Sequence, residues 1–298
     1  MRRLLLGLAA SFCAWSAQAL EIAMTFDDLP AHAALPPGET RVGVTARIIA
    51  ALADAKAPAM GFINGVQTER EPDSTAALAV WRAAGQPLAN HTWSHMRLDD
   101  HSVAEFEADV VRNEPMLRRL MGDEDWRWLR YPYLAEGKSP EQHAQARRML
   151  AKRGYRIAGV TMDFSDWALN DPYARCVANG DEAAVAALEA RYLAAAKASL
   201  THYRGLSRAA LGREIPYVLL MHAGALDARM MPQLLAVYRS EGARFVTLEQ
   251  ATRDPFYAPD MKPGETSEPT TLENAARANG VSIPVQEWDV AGLDTMCR

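Results

Sequence analysis

Basic residues are in short supply: the chain carries 32 Lys and Arg against 37 Asp and Glu. No basic stripe stands out, so neither nucleic acid nor an anionic membrane surface is expected as a partner. A Gly-x-Gly-x-x-Gly run opening a helix is missing as well, which removes the main support for a dinucleotide-binding fold. Cysteine is scarce, with only Cys13, Cys176 and Cys297. A membrane-length apolar stretch is absent too, because the N-terminal run from Leu4 to Trp15 falls short of the about 20 residues a spanning helix needs. That run follows Arg2 and Arg3 and precedes Ala17-Gln18-Ala19, a small-residue cleavage pattern. Residues 1–19 are therefore expected to be a secretion signal rather than an anchor. Cys13 lacks the small residues that precede a lipoprotein cysteine, so lipidation is not expected. Losing Arg2 and Arg3 takes the basic count from 32 to 30 and leaves an acidic protein. The remaining chain, 20–298, is expected to be exported, periplasmic or extracellular, with no membrane attachment after cleavage. Cys176 and Cys297 are then the only thiols, and in an oxidising compartment they are expected to bridge, tying the C-terminal tail to the middle of the domain.

What is present is an alternation of short apolar runs with helix-length segments. The first run ends in Met24-Thr-Phe-Asp-Asp-Leu-Pro30. Further strands are expected over 58–63, 87–89, 126–131, 155–162, 216–222 and 243–248. Helices are expected over 42–55, 74–84, 140–153, 181–203 and 229–241, together with a long one opened by the capping box Ser102–Glu105 and kinked near Pro115. Apolar strands with no polar face are buried on both sides, and strands alternating with helices imply a parallel sheet, hence an α/β barrel or doubly wound fold. With 298 residues, 49% of them hydrophobic, one large domain can bury a full core. From about 255 the polar, proline-rich chain reads as an extension wrapping that domain.

Reactive residues fall at one kind of place. Asp27, Asp28, His91, Arg130, Asp163, Asp166 and His222 all sit at or just past the C-terminal end of an expected strand, and in a β/α barrel those ends share one face. Asp27 and Asp28 are adjacent, so they can share a face only if the strand ends there. His91 and His95 are four apart, close enough to meet one ion if the segment turns helically. With one of the two aspartates they form a two-His, one-carboxylate set suited to catalytic Zn²⁺ and also to some redox metals. Either aspartate is a ligand candidate on spacing alone, and the other would stand ready as a base. His222 closes an apolar strand and is a general-acid candidate, with Asp163 or Asp166 able to hold its imidazole. Arg130 is read either as capping a surface carboxylate or as keeping the non-ligand aspartate ionised. Trp93, Tyr133 and Trp167 suit packing or a sugar platform. His32, His101, His143 and His202 read as ordinary surface residues.

Five ordered motifs, Thr25-Phe-Asp-Asp28, His91-Thr-Trp-Ser-His95, Arg130-Tyr-Pro-Tyr133, Asp163-Phe-Ser-Asp-Trp167 and Leu220-Met-His222, resemble those of the polysaccharide deacetylases, the carbohydrate esterases sharing the NodB homology domain. The resemblance spans roughly 21–250. It implies a distorted (β/α)7-8 barrel, with Asp27 as catalytic base and Asp28, His91 and His95 holding a divalent metal. That metal would usually be zinc, with Co²⁺, Mn²⁺, Fe²⁺ or Ni²⁺ as alternatives. By the same resemblance Arg130 orients Asp27, the Tyr133 backbone N–H helps bind the oxyanion, His222 protonates the leaving group and Asp166 tunes it. Trp167 and Leu220 would line the pocket for the acetyl methyl, and Asp163 would also belong to the substrate pocket. Leu29 departs from the Gly found there in many members, and since Leu lacks easy access to positive φ the following loop is expected to take a different path.

The expectation is an exported, metal-dependent deacetylase acting on an acetylated oligo- or polysaccharide, at an N-acetyl amide or an O-acetyl ester. Rivals are a C–N hydrolase of the same fold acting on a small amide, an inactive glycan-binding module and, remotely, an iron oxygenase. Intact Asp27 and His222 weigh against the binding module, because binding alone needs neither base nor acid.

Overall fold

The structure, a computed structural model, describes residues 19–264, 268–283 and 290–298. Most of the expected secretion signal lies outside them. Counting helices of seven residues or more, the order is β1 (Glu21–Leu29), α1 (Arg41–Asp54), β2 (Ala59–Ile63), α2 (Thr75–Ala83), β3 (Leu88–Asn90), α3 (Val103–Met121), β4 (Trp128–Leu129) and α4 (Pro140–Lys152). Then follow β5 (Arg156–Ile157), α5 (Trp167–Ala178), α6 (Glu182–Leu211), β6 (Tyr217–His222), α7 (Ala225–Ser240), β7 (Arg244–Phe245) and α8 (Leu272–Ala278).

All strand pairs are parallel, in the order β5-β4-β3-β2-β1-β6, with β7 paired to the start of β1. The expected strand 155–162 is divided. Arg156 and Ile157 pair with β4, whereas Met162 bridges to Leu219 of β6. Its Gly159-Val160 interruption lets one stretch of chain serve both edges, and the sheet curls back on itself. This is the distorted barrel of parallel strands expected from the motifs. Likewise the strand expected over 126–131 shrinks to two residues. β1 at the centre is buried on both faces, as a strand flanked by neighbours and covered by helices must be.

Helix starts follow local chemistry. Thr40 accepts from Gly43 N at 3.0 Å to open α1, and Ser102 and Glu105 form the expected reciprocal capping box of α3. Val44, Ile48, Ala51 and Leu52 lie on the buried face of α1, and Val44, Ile48 and Leu52 each contribute roughly 1.5–3 kcal/mol on burial. Several helices differ from expectation: α6 runs on to Leu211 rather than ending at 203, and α8 in the tail was not expected. α5 was not foreseen because Asn170-Asp171-Pro172 reads as turn chemistry, yet Asn170 and Pro172 are buried inside it. α7 begins four residues earlier than its apolar periodicity indicates, directly after β6.

The tail joins the main core through Leu272, Ala276 and Leu293. Cys176 of α5 and Cys297 form a disulfide with Cα atoms 5.1 Å apart, closing a loop of 121 residues. A loop that long restricts the unfolded chain strongly, so Cys176→Ala with Cys297→Ala should lose about 2–4 kcal/mol of stability. Urea unfolding with and without reductant measures it, and a wild-type midpoint indifferent to reductant would contradict the bond.

Candidate active site

β1 and β6 run in register so that Asp27 lies opposite His222, and β3 and β4 pair Asn90 with Leu129. The next residues, His91 and Arg130, thereby emerge side by side. Asp27, Asp28, His91, His95, Asp163, Leu220, His222, Tyr133 and Trp167 all line one cavity of about 600 Å³. Arg130 and Asp166 stand behind its wall.

Arg130 is 1% exposed, so the surface-capping alternative is ruled out. Its Nη1 donates to both oxygens of Asp27 at 3.1 and 3.2 Å, Nη2 to Thr25 Oγ1 at 3.1 Å and Nε to Ala158 O at 2.6 Å. Burial raises the Asp27 carboxyl above the usual carboxylate range, with the guanidinium pulling the other way. The backbone of the same residue serves the neighbouring ligand candidate. His91 Nδ1–H donates to Arg130 O at 2.8 Å, which leaves Nε2 with its lone pair toward the carboxylates.

Asp28 shares the cavity with Asp27 because its φ is +61° and the pairing of β1 with β2 slips between Phe26 and Leu29. Positive φ thus falls on Asp28, whose type tolerates it, and Leu29 is fully buried in the core. Leu29 itself is not among the positive-φ residues, so glycine's freedom is not required at that position. The 91–95 segment is also not the helical turn expected from spacing. Thr92 and His95 sit at φ +61° and +59°, and an amide network holds them. Asn90 Oδ1 accepts from Thr92 N at 2.9 Å, and Asn64 Nδ2 donates to His91 O at 2.5 Å.

For a divalent cation the donor set fits. Asp28 Oδ1 lies 3.6 Å from His91 Nε2 and 3.4 Å from His95 Nε2, and one ligand atom from each residue lies within 4.8 Å of the others. Burial lowers both imidazoles to about 4, so their lone pairs are free near neutrality. Burial opposes ionisation of Asp28, but the His32 hydrogen bond and the nearby His95 more than offset it and hold the carboxyl well below the usual range. The set is hard oxygen plus neutral nitrogen, as zinc and its first-row neighbours take.

Opposite, His222 Nδ1 is 3.0 Å from Asp166 Oδ1, and the His222 backbone N–H donates to Asp166 Oδ2 at 2.6 Å. Burial and His32 lower the His222 pKa, and burial raises Asp166 to about 7. Asp163 hydrogen-bonds Ser165 N instead. Tyr133 and Trp167 are 61% and 53% exposed at the rim, whereas Trp93 is buried under Arg112.

Two parts of this arrangement, His32 and Asp227, escaped the sequence. His32, read as a surface residue, bonds Asp28 Oδ2 at 3.1 Å and packs on His222. His143 is likewise buried, with Nδ1 3.1 Å from Glu136 O, while His101 is exposed and His202 half-buried. Asp227, held by Asn170 Nδ2 at 2.8 Å and Tyr192 OH at 2.9 Å, stands behind Asp166. The spacing of four between Asp28 and His32 was the one available signal for His32.

Residues 17–158 match the family model described as polysaccharide deacetylase. Over that stretch, just under half of its length, the chain is similar to the polysaccharide deacetylase family. The match holds the first three motifs, and the Asp163–Trp167 and Leu220–His222 motifs lie beyond it. Over 238 residues the chain is 25% identical to a peptidoglycan-N-acetylglucosamine deacetylase of Bacillus cereus, covering 76% of this chain and 66% of that protein. It is similar in fold to a family 4 carbohydrate esterase from Streptomyces lividans in complex with acetate, at 19% identity and TM-score 0.50, over 79% of this chain and 97% of that one. It is also similar to a mutant of a CE4 family pseudoenzyme, at 13% identity and TM-score 0.55, over 78% and 67% of the two chains. The barrel alone therefore does not decide whether a polysaccharide deacetylase relative is active. The side chains must.

Burial raises Asp227 to about 8, so Asp166 and Asp227 together hold protons that the unfolded chain releases above about pH 4. Folded pKa values above the unfolded ones mean stability present at low pH and lost as pH rises from about 4 toward 8. Between pH 5 and pH 8 this fall is partly offset by His91 and His95, whose lowered values act the other way, and urea midpoints at the two pH values should show it becoming smaller in Asp227→Asn. An unchanged fall in the variant would exclude the pair as its source.

Proposed function

We propose that this protein is an exported, divalent-metal-dependent deacetylase that hydrolyses acetyl groups on a glycan, with N-acetylglucosamine units as the leading substrate class. The observation that carries this is the pairing, across one cavity, of an Arg130-held Asp27 with an Asp166-held His222, beside the Asp28, His91 and His95 donor set. A binding module needs the cavity but neither held group. The amide preference draws on the likeness to the B. cereus peptidoglycan-N-acetylglucosamine deacetylase, and an acetyl ester asks for the same groups. Export accords with the leader pattern and with a disulfide, a bond that persists in oxidising compartments.

Asp28, His91 and His95 would hold the ion, which when bound supplies Lewis-acid polarisation of a carbonyl and acidification of water. Asp27, kept in place by Arg130, takes a proton from water as its oxygen attacks the acetyl carbon. The oxyanion forming there is met by the Tyr133 backbone N–H. The C–N bond then breaks, and His222 Nε2, its other nitrogen tied to Asp166, gives the proton to the departing amine. Burial that lowers the His222 pKa makes its protonated form the stronger acid. Leu220 and Trp167 offer the apolar wall for the methyl, and exposed Tyr133 and Trp167 offer faces on which sugar rings can lie.

The test is acetate release from chitooligosaccharides, peptidoglycan and acetylated xylan, with and without chelator. Chelator should abolish release and added metal restore it, while Asp27→Asn should lower it by about 10²–10⁴-fold, the range for loss of a general base. Metal binding with no release from any glycan would favour the small-amide hydrolase instead.

A further inference from the structure

His32 lies on the loop between β1 and α1, and that loop is tied down more firmly than a surface histidine requires. Arg41 Nη1 donates to His32 O at 2.7 Å and Nη2 to Ala33 O at 2.8 Å, while the same guanidinium grips Glu71 with two bonds of 2.9 Å. Ala34 N donates to Asp171 Oδ1 at 2.8 Å. Three consecutive residues are thus anchored, and Ala33 among them sits at φ +54°. The side chain so placed bridges the two halves of the site. Its Nδ1 is 3.1 Å from Asp28 Oδ2, its ring centroid is 4.5 Å from that of His222, and its buried Nε2 has no hydrogen-bond partner.

The two oxygens of Asp28 are therefore divided. Oδ2 faces His32, and Oδ1 faces His91 and His95. We propose that His32 is a positioning residue: by donating its Nδ1–H to Asp28 Oδ2 it fixes the carboxylate so that Oδ1 alone is presented to the ion, and its ring forms the wall that keeps His222 at the cavity. Partners that orient a ligating group commonly tune metal affinity by 10–100-fold. This role rests on the reading of Asp28, His91 and His95 as a metal set.

Titration of the full metal-free chain with Zn²⁺ tests it, with binding followed calorimetrically rather than by turnover. His32→Ala should bind about 10–100-fold more weakly. His32→Asn, whose amide can donate from the place of Nδ1, should recover most of the affinity and keep the Co²⁺ absorption spectrum of the unsubstituted chain. His32→Gln, which lacks a donor at that place, should behave as Ala does and gives a second reading should Ala fail to fold by circular dichroism. Wild-type affinity in both Ala and Gln overturns the proposal and leaves the metal reading standing. Failure of Asn to recover affinity, or two Zn²⁺ per chain, overturns it in favour of His32 as a ligand, on the second grouping Asp28, His32 and His222. Absence of Zn²⁺ binding by the unsubstituted chain overturns the metal reading and the His32 role with it.

Discussion

The buried Arg130 guanidinium is the constraint on which the rest of this site depends. Its side chain holds Asp27, its carbonyl sets the tautomer of His91, and its Nε crosses to Ala158 just past β5. A single residue thereby coordinates the base, one ligand candidate and the closure of the barrel. Burying a guanidinium and a carboxylate is costly, and the attraction between them offsets that cost only when every donor is used. Here Nε, Nη1 and Nη2 are all engaged. Removing either charge would leave the other stranded in the core, so the pair is better understood as fixing geometry than as adding stability.

A second cost is spread around the cavity rim. Asp28, Ala33, Thr92, His95, Tyr133, Leu134 and Ser165 all have positive φ among the described residues, none of them glycine. Such backbone costs of order 1–3 kcal/mol each and persists only where surroundings over-determine it. The surroundings are visible: the asparagine network under Thr92, the Arg41–Glu71 clamp under Ala33, and the Asp163 carboxylate on Ser165 N. These turns allow adjacent residues such as Asp27 and Asp28 to reach one cavity from a strand whose geometry would send them to opposite faces.

His222 is held by a layered arrangement whose layers behind the ring are fully buried. Asp166 orients its ring, and Asp227, Asn170 and Tyr192 pack behind. Because the outer carboxylate is itself supported, the imidazole keeps one orientation toward the cavity. On its other side the His32 ring closes the wall.

Much of this was legible in the chain itself. Alternating apolar runs and helical segments specify a parallel α/β fold, barrel or doubly wound, because a strand apolar on both faces must be covered on both, and the five motifs add the likeness to a barrel. Placement of Asp27, His91, Arg130, Asp166 and His222 at strand ends brings them to one face for the same reason. The chain could not show which aspartate turns into the His91–His95 set, since that depends on one positive φ at Asp28. Nor could it show that strand 155–162 would divide, that Asn170-Asp171-Pro172 would sit inside a helix, or that His32 belongs beside His222. Each of those outcomes is set by contacts between residues far apart in sequence or by a backbone turn stabilised from outside. Local pattern reports the period and burial of an element. Partners brought from Glu71, Asp171 and Ala158 are chosen only when the barrel closes.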